Sequence, residues 1–131
     1  MRQAVLALIL TAGAALAEPL DTEEKFQSYV GFGTMFFHLG DGRVHAAETY
    51  LRNRRVRWSL QEGTCLEGEW WAQDGLICFD YEGTPDTQCW KVEVTPDGLT
   101  ATSDEPGDPL VIYEAKGVEG EQTCAGPDVG V

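Results

Sequence analysis

Residues 55–90 read RVRWSLQEGTCLEGEWWAQDGLICFDYEGTPDTQCW, and their alternation decides the fold. Val56, Trp58 and Leu60 fall on one side of an extended chain; Arg55, Arg57 and Ser59 fall on the other. In the next run Leu66, Gly68 and Trp70 share a face, with Glu67, Glu69 and Trp71 opposite. A period of two marks strands, and a one-residue slip would move every side chain to the wrong face. The apolar faces match when Arg55 and Arg57 stand opposite Glu67, Glu69 or Trp71. Asp74-Gly75 suits a two-residue hairpin turn. It places Trp70 opposite Phe79, Ala72 opposite Ile77 and Gly68 opposite Tyr81. A loop EGTP after Tyr81 then sets Cys78 opposite Cys89 and Ile77 opposite Trp90. Directly opposed strand cysteines lie close enough to bridge. A Cys78–Cys89 disulfide is therefore expected, which leaves Cys65 to Cys124 and ties down the C-terminal tail.

Outward from this stretch the period-two pattern continues. Runs at 34–39, 43–51, 55–60, 65–72, 76–82, 88–94, 99–103 and 110–115 are separated by turn residues, with Asp-Gly at 41–42, 74–75 and 97–98. The expectation is an all-β antiparallel meander of about seven or eight strands, as a small barrel, half-barrel or sandwich. Ahead of it, LDTEEKFQSYVGFG reads as one short helix, capped by Asp21 with Glu24 and ended by Gly31.

The chain opens MRQAVLALILTAGAALAEP. A positive Arg2, an apolar run and the small-x-small site Ala15–Ala17 form a secretory signal peptide over residues 1–17. Residues 18–131 are then expected as a single β domain, periplasmic or secreted, with no membrane insertion after cleavage. All four cysteines follow the signal, consistent with two disulfides formed in an oxidising compartment. The formal charge is −13, from 9 basic and 22 acidic residues, and becomes −14 without Arg2. Such a chain repels nucleic acid and anionic membrane surfaces and stays monomeric by charge. A basic protein or a small apolar ligand is the partner that this composition admits.

Candidate site residues fall into two groups. Arg52, Arg54, Arg55 and Arg57 crowd into YLRNRRVRW, at 50–58. Arg55 and Arg57 read as cross-strand partners of Glu67 and Glu69, with Trp71 available for stacking. Arg52 and Arg54 sit at a turn with no evident partner, where an anion-contacting rim is the functional alternative. The second group is Trp58, Trp70, Phe79, Tyr81 and Trp90, which line either a filled core or a ligand cavity. His38 and His45 flank Asp41-Gly42. A two-residue turn would oppose them but turn Met35, Phe37 and Leu39 outward. A three-residue turn GDG keeps those three inward and separates the histidines, so no metal site is expected. GFG at 31–33 lacks a third glycine, and neither a nucleophile–base pair nor any other catalytic signature is present. No cofactor and no enzymatic activity are expected.

Residues 50–94 with the ending CAGPDVGV resemble a group of small exported bacterial proteins of unknown function. RRVRW, G-x-W at Gly68–Trp70, LICF-x-Y and QCW carry the resemblance. Proteins of this kind are sometimes labelled dihydrodipicolinate reductase. That reductase needs a G-x-G-x-x-G fingerprint and a second domain, so the resemblance carries no catalytic residues to this chain. The pattern W…G-x-x-C…CW is also similar to exported lipocalin-like meander domains, which implies a barrel and no more. Three functions follow as expectations: an exported non-catalytic binding module for a small apolar ligand or an envelope protein, an inhibitor of a basic enzyme such as a lysozyme, or an enzyme with an unrecognised site.

Overall fold

The computed structural model describes Ile9 and residues 16–61 and 63–124. The expected signal peptide, but for Ile9, Leu16 and Ala17, lies outside the described residues, as do residues 125–131. The chain runs β1 (Glu18–Pro19), α1 (Glu23–Val30), β2 (Gly33–His38), β3 (Ala46–Tyr50), a 3-10 turn (Arg52–Arg54), β4 (Arg55–Leu60), β5 (Leu66–Gln73), β6 (Leu76–Tyr81), β7 (Gln88–Thr95), β8 (Gly98–Ser103) and β9 (Val111–Glu114). From β2 to β9 each strand pairs antiparallel with the next, and β9 returns to pair with β2. The result is a closed eight-stranded barrel, with β1 as an extra strand beside β7. Closure removes the free sheet edges that would otherwise recruit other chains.

The registers of the central strands are those the alternation requires. Arg55 pairs with Glu69, Arg57 with Glu67, Trp70 with Phe79, Gly68 with Tyr81 and Ile77 with Trp90. Asp74 and Gly75 both take positive φ, 52° and 78°, as the twisted two-residue turn demands. Both disulfides form as expected, Cys78–Cys89 and Cys65–Cys124. The turn into β8 is displaced by one residue. Thr95 pairs with Gly98, so Pro96-Asp97 is the turn and not Asp97-Gly98. Proline at the second and glycine at the fourth position of a turn account for this choice.

The β2–β3 register corrects the expectation. Phe37 pairs with Ala46 and Met35 with Glu48, the register assigned to a two-residue turn, although residues 39–45 form a longer loop. Phe37 is nevertheless buried and Met35 packs on the core. The interior face of β3 is the one carrying Ala46, Glu48 and Tyr50, all buried. The register rejected for turning Met35 and Phe37 outward thus keeps both against the core, because the β3 face it sets beside them is the buried one.

Helix α1 also departs in detail. Thr22 is the N-cap, its hydroxyl accepting from the Lys25 N–H, while Asp21 instead accepts from the Lys25 ammonium at 2.9 Å. Gly31 ends the helix at φ 60°. Two turns of helix are marginal alone, and packing holds this one. Phe26 sits edge-on to Trp70, Tyr50 and Phe79, with ring centres 4.9, 5.7 and 6.4 Å away. Tyr29 donates to Glu114 at 2.6 Å. The helix thus closes one end of the barrel. At the far side the tail lies over the outer face of β3 and β4. Gln122 accepts from Thr49 and donates to the Ala47 carbonyl and to Ser59, two residues removed from its disulfide anchor at Cys124.

Candidate functional site

The four arginines are dispersed over different partners. Asn53 and Arg54 sit in the left-handed region, at φ 58° and 57°, so the chain reverses sharply and its side chains splay. Arg57 donates to Glu67 at 2.7 Å, and Arg55 approaches Glu82 at 3.8 Å. Arg54, unpartnered in the sequence reading, meets Glu23 of α1 at 3.0 Å. Arg52 lies over the Phe32 ring at 5.9 Å, the one cation–π contact among the described residues. Trp71 does not stack on an arginine; it stands opposite Cys78 and donates to Gln73 at 3.0 Å. All four arginines therefore face an acidic or aromatic neighbour.

The end of the barrel away from α1 is different. By antiparallel alternation the ends of β2, β4, β6 and β8 gather there, with the starts of β3, β5, β7 and β9. Leu60 follows the inward side of β4, Leu39 directly follows β2 at the same end, and Leu110, whose carbonyl accepts from the Ser103 N–H, continues the inward alternation ahead of β9. Yet they are 62%, 52% and 53% exposed. Beneath them Trp58, Leu66 and Trp90 are half-buried. Leucines left open to water at this end make an apolar mouth, where the opposite end is covered by a helix.

Below the mouth lies a cavity of about 40 Å³, lined by Trp58, Trp90, Phe79, Tyr81, Gln88 and Glu48 together with core residues down to Phe26. That is room for about two or three waters, so the interior is mostly filled. Trp70, expected as a cavity wall, is absent from the lining. It is 1% exposed and packs edge-on against Phe26 of α1. Its indole N–H has no hydrogen-bond partner among the described residues. Trp90 and Gln88 also line a groove of about 450 Å³ between the β6–β7 and β8–β9 loops, with Asp86, Asp104, Glu105 and Leu110. Its lining includes no basic residue.

Glu48 is the functional candidate that the sequence reading missed. It is 2% exposed, and its Oε2 accepts from the Tyr81 hydroxyl at 2.6 Å. Burial pushes its carboxyl up to about 8, against the pull of the Tyr81 and Tyr50 hydroxyls. Both tyrosines are raised well above their ordinary value, by burial and then by Glu48. Glu48 is thus mainly a neutral acid at pH 7, which lets an apolar barrel hold it. Gly68 makes the arrangement fit. A Cβ there would run into the Asp80 carbonyl and stand 2.7 Å from the Tyr81 ring, so the glycine lets that ring lie across β5 and reach Glu48. The sequence signal was the face Ala46-Glu48-Tyr50, a carboxylate between residues of core type.

The histidines are engaged separately. His38 stacks on Tyr113 with ring centres 5.4 Å apart, and its Nδ1 accepts from the Gly40 and Gly42 N–H groups. His45 pairs with Asp41 at 3.0 Å. Among the described residues no group of three or more His, Cys, Asp or Glu is placed to hold a metal ion, and no helix is long and apolar enough to cross a membrane. No family model matches the chain, and no curated protein or solved structure matches it.

Proposed function

We propose that this chain is an exported, non-catalytic binding module whose barrel mouth takes a small apolar ligand. The observation that carries the reading is the set of exposed leucines gathered at one barrel end, Leu39, Leu60 and Leu110, above half-buried Trp58 and Trp90. Water there contacts surface that in a closed core would be covered, and a ligand that displaces it gains about 25 cal/mol per Å² of apolar area. The adjoining groove has the size usual for small-molecule sites. Export is supported by the two disulfides and by β1, which starts at Glu18, directly after the expected cleavage site.

Nile red, a neutral apolar dye, tests the mouth. Its emission should rise and shift to the blue with the wild-type protein. Leu60→Ser/Leu110→Ser should abolish the response, and Phe32→Ser, an exposed aromatic just after α1, should retain it. No response in wild type, or equal loss in both variants, would refute a ligand site at the mouth. A second reading, an inhibitor of a basic enzyme, is favoured by the carboxylates of the groove. Salt-sensitive recovery of a basic protein on immobilised wild type, lost with Asp104→Asn/Glu105→Gln, would establish it.

A further inference from the structure

We infer that the ligand of this mouth is an organic ammonium ion, with its charged head against Glu48 and its apolar body on the leucine rim. This rests on the mouth being a ligand site and adds the class of ligand. Three features converge. First, the cavity at Glu48, about 40 Å³, has space for an ammonium head and little of the apolar body behind it. Second, aromatic residues are prominent in its walls: Trp58, Trp90, Phe79 and Tyr81 are of the residue types whose rings attract cations once water is removed. Third, the approach is acidic. Asp86, Asp104 and Glu105 line the groove that shares Trp90 and Gln88 with the cavity, so the field there concentrates cations and repels anions.

Glu48 then supplies the discrimination. In the free protein its carboxyl is held neutral by burial. An incoming ammonium supplies the missing countercharge, and the carboxyl releases its proton to solvent as the ion pair forms. Of the cavity-lining residues only Tyr50 and Tyr81 also titrate, and both are raised well above their ordinary value, so they stay neutral and donate to the new carboxylate. A carboxylic acid ligand finds acidic groups at every step. A neutral alcohol gains the apolar contact and leaves Glu48 protonated.

Isothermal titration with hexylammonium, 1-hexanol and hexanoate at pH 7 separates these cases, since the three share one apolar body. Hexylammonium should bind about tenfold or more tightly than 1-hexanol, and hexanoate most weakly. Repeating the titration in buffers of different ionisation enthalpy should show release of about one proton per hexylammonium bound and none for 1-hexanol. Glu48→Gln should lose the preference and the proton release while still binding 1-hexanol. If that variant does not fold, as judged by near-ultraviolet circular dichroism, the wild type is titrated from pH 6 to pH 8. Hexylammonium affinity should then rise with pH while 1-hexanol affinity stays level. Equal affinity for all three ligands would overturn the ammonium inference and leave the apolar site standing; binding of none would remove both. An ammonium preference unchanged in Glu48→Gln, or flat with pH, would reduce the effect to general attraction by an acidic protein and also overturn the inference.

Discussion

Replacing Glu48 by glutamine removes a proton-binding group from the barrel interior while keeping a carbonyl that can accept the Tyr81 hydroxyl. The consequence for stability depends on pH, and its sign follows from the direction of the shift. Burial raises the carboxyl from 4.5 to about 8 in the folded protein. Below pH 4.5 both folded and unfolded chains carry the proton, and Glu48 makes no difference. Between 4.5 and 8 the folded protein keeps a proton that the unfolded chain has released. Stability therefore falls as pH rises, by about 1.4 kcal/mol per pH unit. Above 8 both states are ionised and the loss levels off. Between pH 5 and pH 7 wild type should lose about 3 kcal/mol relative to Glu48→Gln. Against a usual domain stability of about 5–15 kcal/mol this is large. Asp21 and Asp41, held low by hydrogen bonds from Lys25 and His45, act in the opposite direction and are common to both proteins, so they cancel in the difference. The assay is urea denaturation followed by tryptophan fluorescence at pH 5, 6 and 7. Parallel stability curves for the two proteins would show that Glu48 does not hold a proton in the fold, and would refute the account of the interior.

Gly68→Ala should destabilise by about 1–3 kcal/mol or more, because the added methyl meets the Asp80 carbonyl and the Tyr81 ring; an unchanged urea midpoint would show that β5 and β6 have room to separate. Arg57→Ala should cost about 1 kcal/mol or less, and a double-mutant cycle with Glu67→Ala should show favourable coupling of that order, since the pair is 2.7 Å apart but more than a third exposed; zero coupling would make the contact incidental. Cys65→Ser/Cys124→Ser should lower stability by about 2–5 kcal/mol, and the side-chain amide protons of Gln122 should exchange faster as the tail leaves Ala47 and Ser59. Unchanged exchange would mean that Gln122 holds the tail without its disulfide.

The strands from β4 to β7 were legible because their evidence is local. A two-residue turn joins β5 to β6 and a six-residue loop joins β6 to β7, where the opposed cysteine pair constrains the same register as the alternation and so excludes a slip. Trp58, Phe79, Tyr81 and Trp90 were assigned to the right face for the same reason. What required the tertiary structure was whatever depends on contacts far apart in the chain. The β9–β2 pairing that closes the barrel joins strands at opposite ends of the fold. Arg54 finds Glu23, and Trp70 finds Phe26, only because α1 folds back across the barrel end. Glu48 is the clearest case. A glutamate on a strand reads as a solvent-facing residue, since an isolated buried charge costs many kcal/mol. Only the assembled interior, with Tyr50 and Tyr81 from two strands and Gly68 making space from a third, provides the surroundings in which that carboxyl stays neutral and buried.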